Sequence, residues 1–364
     1  MKKLARKNIL NITPYKAGKP IEETKRELGL KEIIKLASNE NPLGPSPKAV
    51  AAIKKNLGLI NRYPDSQGFY LKKTIAAQIK ARPENIVLAN GSDEAIDTII
   101  KTFAEEDENI VTADTTFLEY EIISKVNGRK VATAPLKNFK FDLAAIAGKI
   151  NSKTKLVFIA NPNNPTGTYV NRKELESFLK RMPKGAILVL DEAYDAFIDV
   201  KDYPNGLDYI NKNNVIVLKT FSKAYGLAGL RIGYAAASAE LASCMEKARQ
   251  PFNVNLLAQA AAAAALSDKK FLRNTRGLVL KEKYLLYSRL QQLGLAFVPS
   301  VANFILIDTS RDGVKVFKAM LKEGVIVRDM QQYGLKNFIR VTIGKPEENR
   351  KFIKALKKVL GRSL

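Results

Sequence analysis

No histidine occurs anywhere in the 364 residues of this chain. That absence removes Ser-His-Asp triads, imidazole general bases and histidine metal ligands, so proton transfer must fall to lysine, tyrosine and carboxylates. Cysteine is nearly absent too. Cys244 stands alone, which excludes an intramolecular disulfide and cysteine-cluster metal sites, and no bound metal is expected. No apolar run reaches membrane-spanning length. The basic start Met1-Lys2-Lys3-Leu4-Ala5-Arg6-Lys7 lacks the apolar stretch that would make it a signal peptide. A soluble, cytoplasmic protein with no membrane partner is expected.

Acidic residues are the scarcer charge, 36 Asp and Glu against 60 Lys and Arg, for a net charge of +24. Nucleic-acid binding or steering of anionic substrates would use such an excess. No zinc-finger pattern, RNP-like motif or basic low-complexity tail accompanies it. The lysines interleave with apolar residues along helical stretches such as Lys48 to Asn56 and Lys345 to Leu364. Solvated helix faces account for the charge, and no nucleic-acid partner is expected.

Hydrophobic residues make up 46% of the chain, enough for a substantial core. Between Glu84 and Ala237, apolar strand candidates alternate with helical stretches: Ile86–Asn90, Ile110–Ala113, Leu156–Ala160, Ala186–Asp191, Val215–Lys219 and Arg231–Ala237. This alternation reads as βαβ units around a mostly parallel sheet, an α/β fold. The alanine-rich tract Leu256 to Leu266 favours helix. After Arg276 come a long helical segment and strand candidates at Phe304–Asp308, Val325–Arg328 and Phe338–Ile343, which read as a smaller α+β domain packed with the N-terminal segment. The expected division is 1–60 for an arm and part of the small domain, 61–275 for the large domain and 276–364 for the rest of the small one.

Four strand ends carry candidate chemistry. Val215–Lys219 runs into Thr220-Phe221-Ser222-Lys223, with Arg231 further on. An ammonium is costly to desolvate unless it is paired or used. A lysine that loses its proton there becomes an amine that can form a Schiff base, while Ser222 and Arg231 suit a phosphate. Leu188-Val189-Leu190-Asp191 brings a carboxylate to the end of a buried strand, where it serves either as a helix cap or as partner to a protonated ring nitrogen, with Tyr194 close by. Leu156 to Ala160 enters the turn-rich Asn161-Pro162-Asn163-Asn164-Pro165-Thr166-Gly167, an ordinary turn or a rigid mount for Asn164. Ile86 to Asn90 turns through Gly91 into a helix start at Ser92 and Asp93, which are either caps or a phosphate site. Aldehyde and phosphate chemistry together suggest pyridoxal phosphate.

In that order, Asn164-Pro165-Thr166-Gly167, Asp191-Glu192-Ala193-Tyr194 and Ser222-Lys223 with Arg231 resemble the fold type I pyridoxal-phosphate aminotransferases. Several further stretches are similar to the histidinol-phosphate aminotransferases within that group. These are Thr13-Pro14-Tyr15, Ser38-Asn39-Glu40-Asn41-Pro42-Leu43-Gly44, Arg62-Tyr63-Pro64-Asp65, Val327-Arg328-Asp329-Met330 and Ile339-Arg340-Val341-Thr342. The resemblance implies a large domain with a mostly parallel seven-stranded sheet sandwiched by helices, plus a smaller α+β domain. It also implies a homodimer with shared sites. Lys223 would carry the cofactor covalently and shuttle protons. Asp191 would pair with the ring nitrogen, Asn164 and Tyr194 with the phenolic oxygen, and Phe117 would stack on the ring. Gly91, Ser92, Asp93, Thr220, Ser222 and Arg231 would hold the phosphate, joined by Tyr63 from the neighbouring subunit. Tyr15, Asn39, Arg328 and Arg340 would bind small-molecule substrates, Arg340 gripping both a carboxylate and a phosphate.

The implied reaction moves an amino group between L-histidinol phosphate and 2-oxoglutarate in histidine biosynthesis. A threonine-phosphate decarboxylase-like lyase, or a broad or aromatic aminotransferase, would share the fold. A nucleic-acid-binding regulator on the same fold would need an added helix-turn-helix domain for which the chain has no room. Two departures stand out. Ala113-Asp114-Thr115-Thr116 replaces the prolines usual before the stacking aromatic, so the loop at Phe117 lacks the stiffening that the resemblance implies for it. Glu105-Glu106-Asp107-Glu108 replaces the usual glycine and is expected to be a solvated turn.

Overall fold

The computed structural model describes residues 4–16, 18–30 and 32–362. Seven strands form the larger sheet: β1 Ile86–Ala89, β2 Asn109–Ala113, β3 Lys130–Ala134, β4 Thr154–Ala160, β5 Ile187–Asp191, β6 Val215–Thr220 and β7 Gly233–Ala236. Their spatial order is β1-β7-β6-β5-β4-β2-β3. All neighbours are parallel except β7, which runs antiparallel to both β1 and β6. The near-continuous apolar runs of β4, β5 and β6 follow from burial on both faces. Along β1 the alternation is explicit. Val87 and Ala89 join one core cluster, while Ile86 and Leu88 join the other on the opposite face.

Helices cover both faces. Ile96, Ile99 and Ile100 of helix Ser92–Phe103 and Phe178 of helix Arg172–Leu179 pack in the first cluster. Ala49 of helix Pro47–Asn56, Leu71 and Ile75 of helix Phe69–Ile79, and four alanines of helix Leu256–Ser267 pack in the second. The alanine tract is therefore a helix whose small side chains face the core. β3 has no counterpart among the six strand candidates. It is an edge strand in which only Ala134 is fully buried, so its sequence carries little apolar signal. The acidic run Glu105–Glu108 is a solvent-facing turn closed by Glu105 N–H donating to Glu108 Oε2 at 2.8 Å.

A second, antiparallel sheet joins Phe297–Val298, Phe304–Asp308, Phe338–Thr342 and Arg328–Asp329 in that order. Helix Lys269–Gln292 lends Val279, Leu286 and Leu290 to its core, beside Phe304 and Phe352. Val325–Arg328 is not one strand. Val325–Ile326 pairs in parallel with Ile34–Lys35, and after Val327 the chain switches to the second sheet. That switch ties the N-terminal segment to the small sheet and sets Arg328 directly opposite Arg340 in the register. Tyr194 and Ala224, from the loops at the ends of β5 and β6, belong to this second core. The mouth of the parallel sheet is thereby closed against the smaller sheet, at the carboxyl ends where α/β sites form.

Candidate active site

A cavity of about 310 Å³ lies at the carboxyl ends of β4, β5 and β6. At one end, Gly91 adopts φ +85° and starts helix Ser92–Phe103, leaving the first N–H groups of a twelve-residue helix without intrahelical partners. A Cβ on Gly91 would come within 2.5 Å of Arg231 Nη2, so the backbone approaches the guanidinium as closely as glycine allows. Arg231 itself has φ 53° and pairs with Asp93 at 3.0 Å. Ser222 is buried, and its N–H donates to Thr220 Oγ1 at 3.1 Å. Helix N–H groups, two hydroxyls and a guanidinium together form an anion cradle.

At the other end, Asp191 is only 5% exposed and closes β5. Its oxygens accept from Tyr120 Oη at 2.7 Å and from Ala193 N–H at 3.0 Å. Burial raises its pKa, and those two donors oppose the rise. Tyr194 Oη accepts from Asn39 Nδ2 at 3.0 Å. Asn39, buried with φ 55°, is fixed in turn by Thr342, whose Oγ1 accepts from Asn39 N–H at 2.9 Å. Asn164 Oδ1 accepts from Arg340 Nη1. This bond settles the amide orientation and turns Nδ2 toward the cavity as a donor.

Lys223 Nζ donates to Ser38 O at 3.1 Å and stands 5.8 Å from the Tyr194 ring centre. Among the described residues no carboxylate pairs with it. Burial, aided by the Arg340 charge, pulls its pKa down to about 8, so about a tenth of it is free amine at pH 7. The loop after it is pressed onto the segment Asn41–Pro45: Asn41 Nδ2 donates to Ala224 O at 2.8 Å, and a Cβ on Gly226 would lie 2.1 Å from Gly44 O. Lys219, the buried lysine within β6, instead bridges Glu192 and Asp195 at 2.6 and 2.5 Å, and its charge is held by them.

Arg328 and Arg340 sit opposite each other across two strands, 7% and 4% exposed, and both line the cavity. Like charges in that position repel, and both lie where water screens poorly. Arg340 Nη2 donates to Ala37 O at 2.8 Å, its Nε has no partner among the described residues, and its guanidinium lies 5.2 Å from the Phe304 ring centre. Arg328 lies 5.3 Å from the Tyr15 ring centre and donates to Lys16 O, which ties the N-terminal arm to the cavity, with Tyr15 in its lining.

The residues singled out from the sequence thus meet in one cavity, apart from Gly91, which lies just behind its lining against Arg231, and Tyr63. Tyr63 is 82% exposed, stacks on Phe252 at 4.8 Å and does not line the cavity. Phe117 does line it, although its loop lacks the prolines. The anchor is Thr116, 3% exposed, whose Oγ1 donates to Asn163 Oδ1 at 2.8 Å, while Asn163 Nδ2 donates to Thr115 O at 3.1 Å. These side-chain bonds pin the loop where prolines would have stiffened it. Tyr120, Glu119 and the carbonyls of Ala37 and Ser38 are cavity features that the sequence does not flag. The two carbonyls carry no residue signal, and an aromatic in a helix reads as core.

The family model for aminotransferase class I and II matches residues 31–356. Among curated relatives, the histidinol-phosphate aminotransferase of Moorella thermoacetica is 48% identical over 98% of this chain and 92% of its own length. Histidinol-phosphate aminotransferase 2 of Carboxydothermus hydrogenoformans is 46% identical over 98% and 99%. Among solved structures, the histidinol-phosphate aminotransferase of Sinorhizobium meliloti in complex with pyridoxal-5'-phosphate superposes with a TM-score of 0.89 at 27% identity, covering 98% of this chain and 97% of that one. The Clostridium acetobutylicum enzyme of the same name gives 0.84 at 28% identity over 90% and 99%.

Proposed function

Because the chain belongs to the aminotransferase class I and II family, we propose that it is a pyridoxal-phosphate enzyme transferring an amino group between L-histidinol phosphate and 2-oxoglutarate. The observation that carries the reading is the meeting, in one cavity, of an unpaired Lys223 with the facing arginines Arg328 and Arg340. A buried guanidinium pair is unfavourable by itself and becomes favourable around an anion. Both proposed substrates are anions, one a phosphate monoester and the other a dicarboxylate.

The residues present fit the cofactor. Ser92 and Asp93 backbone N–H groups with Thr220, Ser222 and Arg231 would hold its phosphate, while Gly91, whose own N–H donates to Ala89 O at 2.8 Å, would supply the turn of a cradle that a Cβ there would obstruct. Asp191 would face the ring nitrogen, Tyr194 Oη and Asn164 Nδ2 the phenolic oxygen, and Phe117 the ring. When bound, pyridoxal phosphate supplies an aldehyde for the amino group and a ring that accepts the electron pair left by the departing α-proton. Lys223 Nζ, as the free amine, is the base placed to take that proton and to return one. In a chain without histidine, its lowered pKa is what makes a base available near neutral pH. Asn39 orients the Tyr194 phenol, and Arg340 binds the carboxylate or phosphate of whichever substrate is present. Tyr15 of the N-terminal arm, held by Arg328, lines the cavity and would narrow the space open to water once substrate is bound.

Tyr63 enters through a second copy of the chain. Ile60, Tyr63, Phe69 and Tyr70 are 67%, 82%, 59% and 79% exposed, an apolar face that suits a homodimer interface. The cofactor-binding domain is assigned to residues 61–275, with 276–364 forming the smaller domain and 1–60 an arm and part of it, although helix Pro47–Asn56 packs on the large sheet through Ala49. No helix among the described residues is long and apolar enough to cross a membrane.

The test is a spectrum of the pyridoxal-phosphate-loaded protein during addition of L-histidinol phosphate and then 2-oxoglutarate. Bleaching of the visible band by the first and its return with the second is the expected result. A band that ignores histidinol phosphate but responds to another amine changes the substrate. Failure to take up cofactor overturns the reading altogether.

A further inference from the structure

One phenol in the cavity has no role in the chemistry described so far. Tyr120, in the first turn of helix Glu119–Val126, is completely buried and aims its hydroxyl at Asp191 Oδ2, 2.7 Å away. Its ring is held on two sides, stacked on Phe158 at 5.0 Å and meeting Phe117 edge-on at 5.5 Å. Through these contacts Tyr120 touches both the carboxylate proposed for the ring nitrogen and the aromatic proposed for the ring face.

We propose that Tyr120 is a positioning residue for the cofactor, holding Asp191 ionised and aimed while bracing Phe117. The inference rests on the cofactor reading given above. A carboxylate as buried as Asp191 tends to take up a proton and then no longer stabilises a protonated ring nitrogen. Four neighbours act on its charge. Tyr120 and the Ala193 N–H donate to it, Lys223 favours its ionised form, and Asp93 disfavours it. Tyr194 and Tyr203 also stand in its field, both as neutral phenols. Of the two donors, only Tyr120 is a side chain that substitution can remove. Burial and the Asp191 charge push the Tyr120 phenol well above its ordinary range, so it stays a donor throughout working pH. An imidazole in its place would titrate there, and this chain has none.

The experiment is Tyr120→Phe, which keeps the ring and removes only the hydroxyl. Losing a hydrogen bond to a charged group should loosen pyridoxal phosphate and lower kcat by about 10- to 100-fold each, with KM changed less than about threefold. The pH midpoint of the bound cofactor's visible band should move upward, because a ring nitrogen with a protonated Asp191 withdraws fewer electrons. In an Asp191→Asn background, Tyr120→Phe should have no further effect on the band. A lowered melting temperature with cofactor affinity and band midpoint unchanged would mean a purely structural role and overturn the proposal. If Tyr120→Phe does not fold, the Asp191 carboxyl resonance of 13C-aspartate-labelled wild-type apoprotein, assigned with Asp191→Asn, serves instead. Ionisation maintained at pH 7 supports the proposal, and a protonated carboxyl at pH 7 overturns it. Wild-type protein that takes up no pyridoxal phosphate ends the cofactor reading itself, whereas unaltered binding by Tyr120→Phe ends only this inference.

Discussion

Replacing Lys223 by methionine should stabilise the cofactor-free protein while abolishing its chemistry. The lysine sits largely out of water beside Arg340, and the fall of its pKa from 10.5 to about 8 measures what the fold loses by holding the ammonium there. At about 1.4 kcal/mol per pKa unit that is on the order of 3 kcal/mol, an upper value because solvent at the cavity mouth screens part of it. Methionine keeps the length and apolar stem but forfeits the bond to Ser38 O, which returns about 1 kcal/mol. A net gain of about 2 kcal/mol corresponds to a melting-temperature rise of roughly 2–3 °C in a chain of this size. The pH dependence follows from the direction of the shift. Below about 8 both folded and unfolded wild type hold the proton, and the full destabilisation is present. Between about 8 and 10.5 the folded state releases it first, so wild type gains stability relative to the variant. Thermal denaturation of both apoproteins from pH 7 to 10.5 should therefore show a gap that closes with rising pH. A variant that is less stable than wild type at pH 7, or a gap that stays flat, refutes the reasoning.

Gly91→Ala places a methyl 2.5 Å from Arg231 Nη2 at φ +85°, and should weaken pyridoxal phosphate binding by about tenfold or more in a fluorescence titration. Unchanged affinity would place the phosphate elsewhere. Arg340→Lys replaces a two-pronged donor with a point charge, and should raise KM for amine and oxo acid alike by roughly tenfold or more in steady-state assays. An effect on only one substrate would break the shared-site reading. Tyr63→Ala and Lys223→Ala subunits, each inactive alone, should regain activity when refolded together, because one site of the mixed dimer is then intact. No recovery would remove Tyr63 from the partner's site. Thr116→Val should lower apoprotein stability by about 1 kcal/mol through the lost bond to Asn163, a small drop readable by calorimetry.

Much of this protein is legible in order along the chain. Each buried parallel strand announces itself as an apolar run, and the polar segment that follows marks the carboxyl end where ligands bind. That is why Asp191, at the very end of its run, and Asn164 and Lys223, a few residues beyond theirs, stand out from the residue pattern. Gly91 at a strand-to-helix turn is visible for the same local reason. β3 is not legible, because an edge strand need not be apolar on both faces.

What the sequence alone determined is therefore the set of local elements and the chemistry each strand end carries, since period, turn residues and side-chain type are properties of neighbours in the chain. What only the tertiary structure decided is how distant residues face one another. The switch at Val327 sets Arg328 against Arg340, Lys219 within β6 meets a carboxylate pair while Lys223 in the loop beyond it meets Ser38 O, and Tyr120 meets Asp191 across 71 residues of chain. Packing two sheets edge to mouth fixes those distances, and no spacing in a linear sequence encodes them.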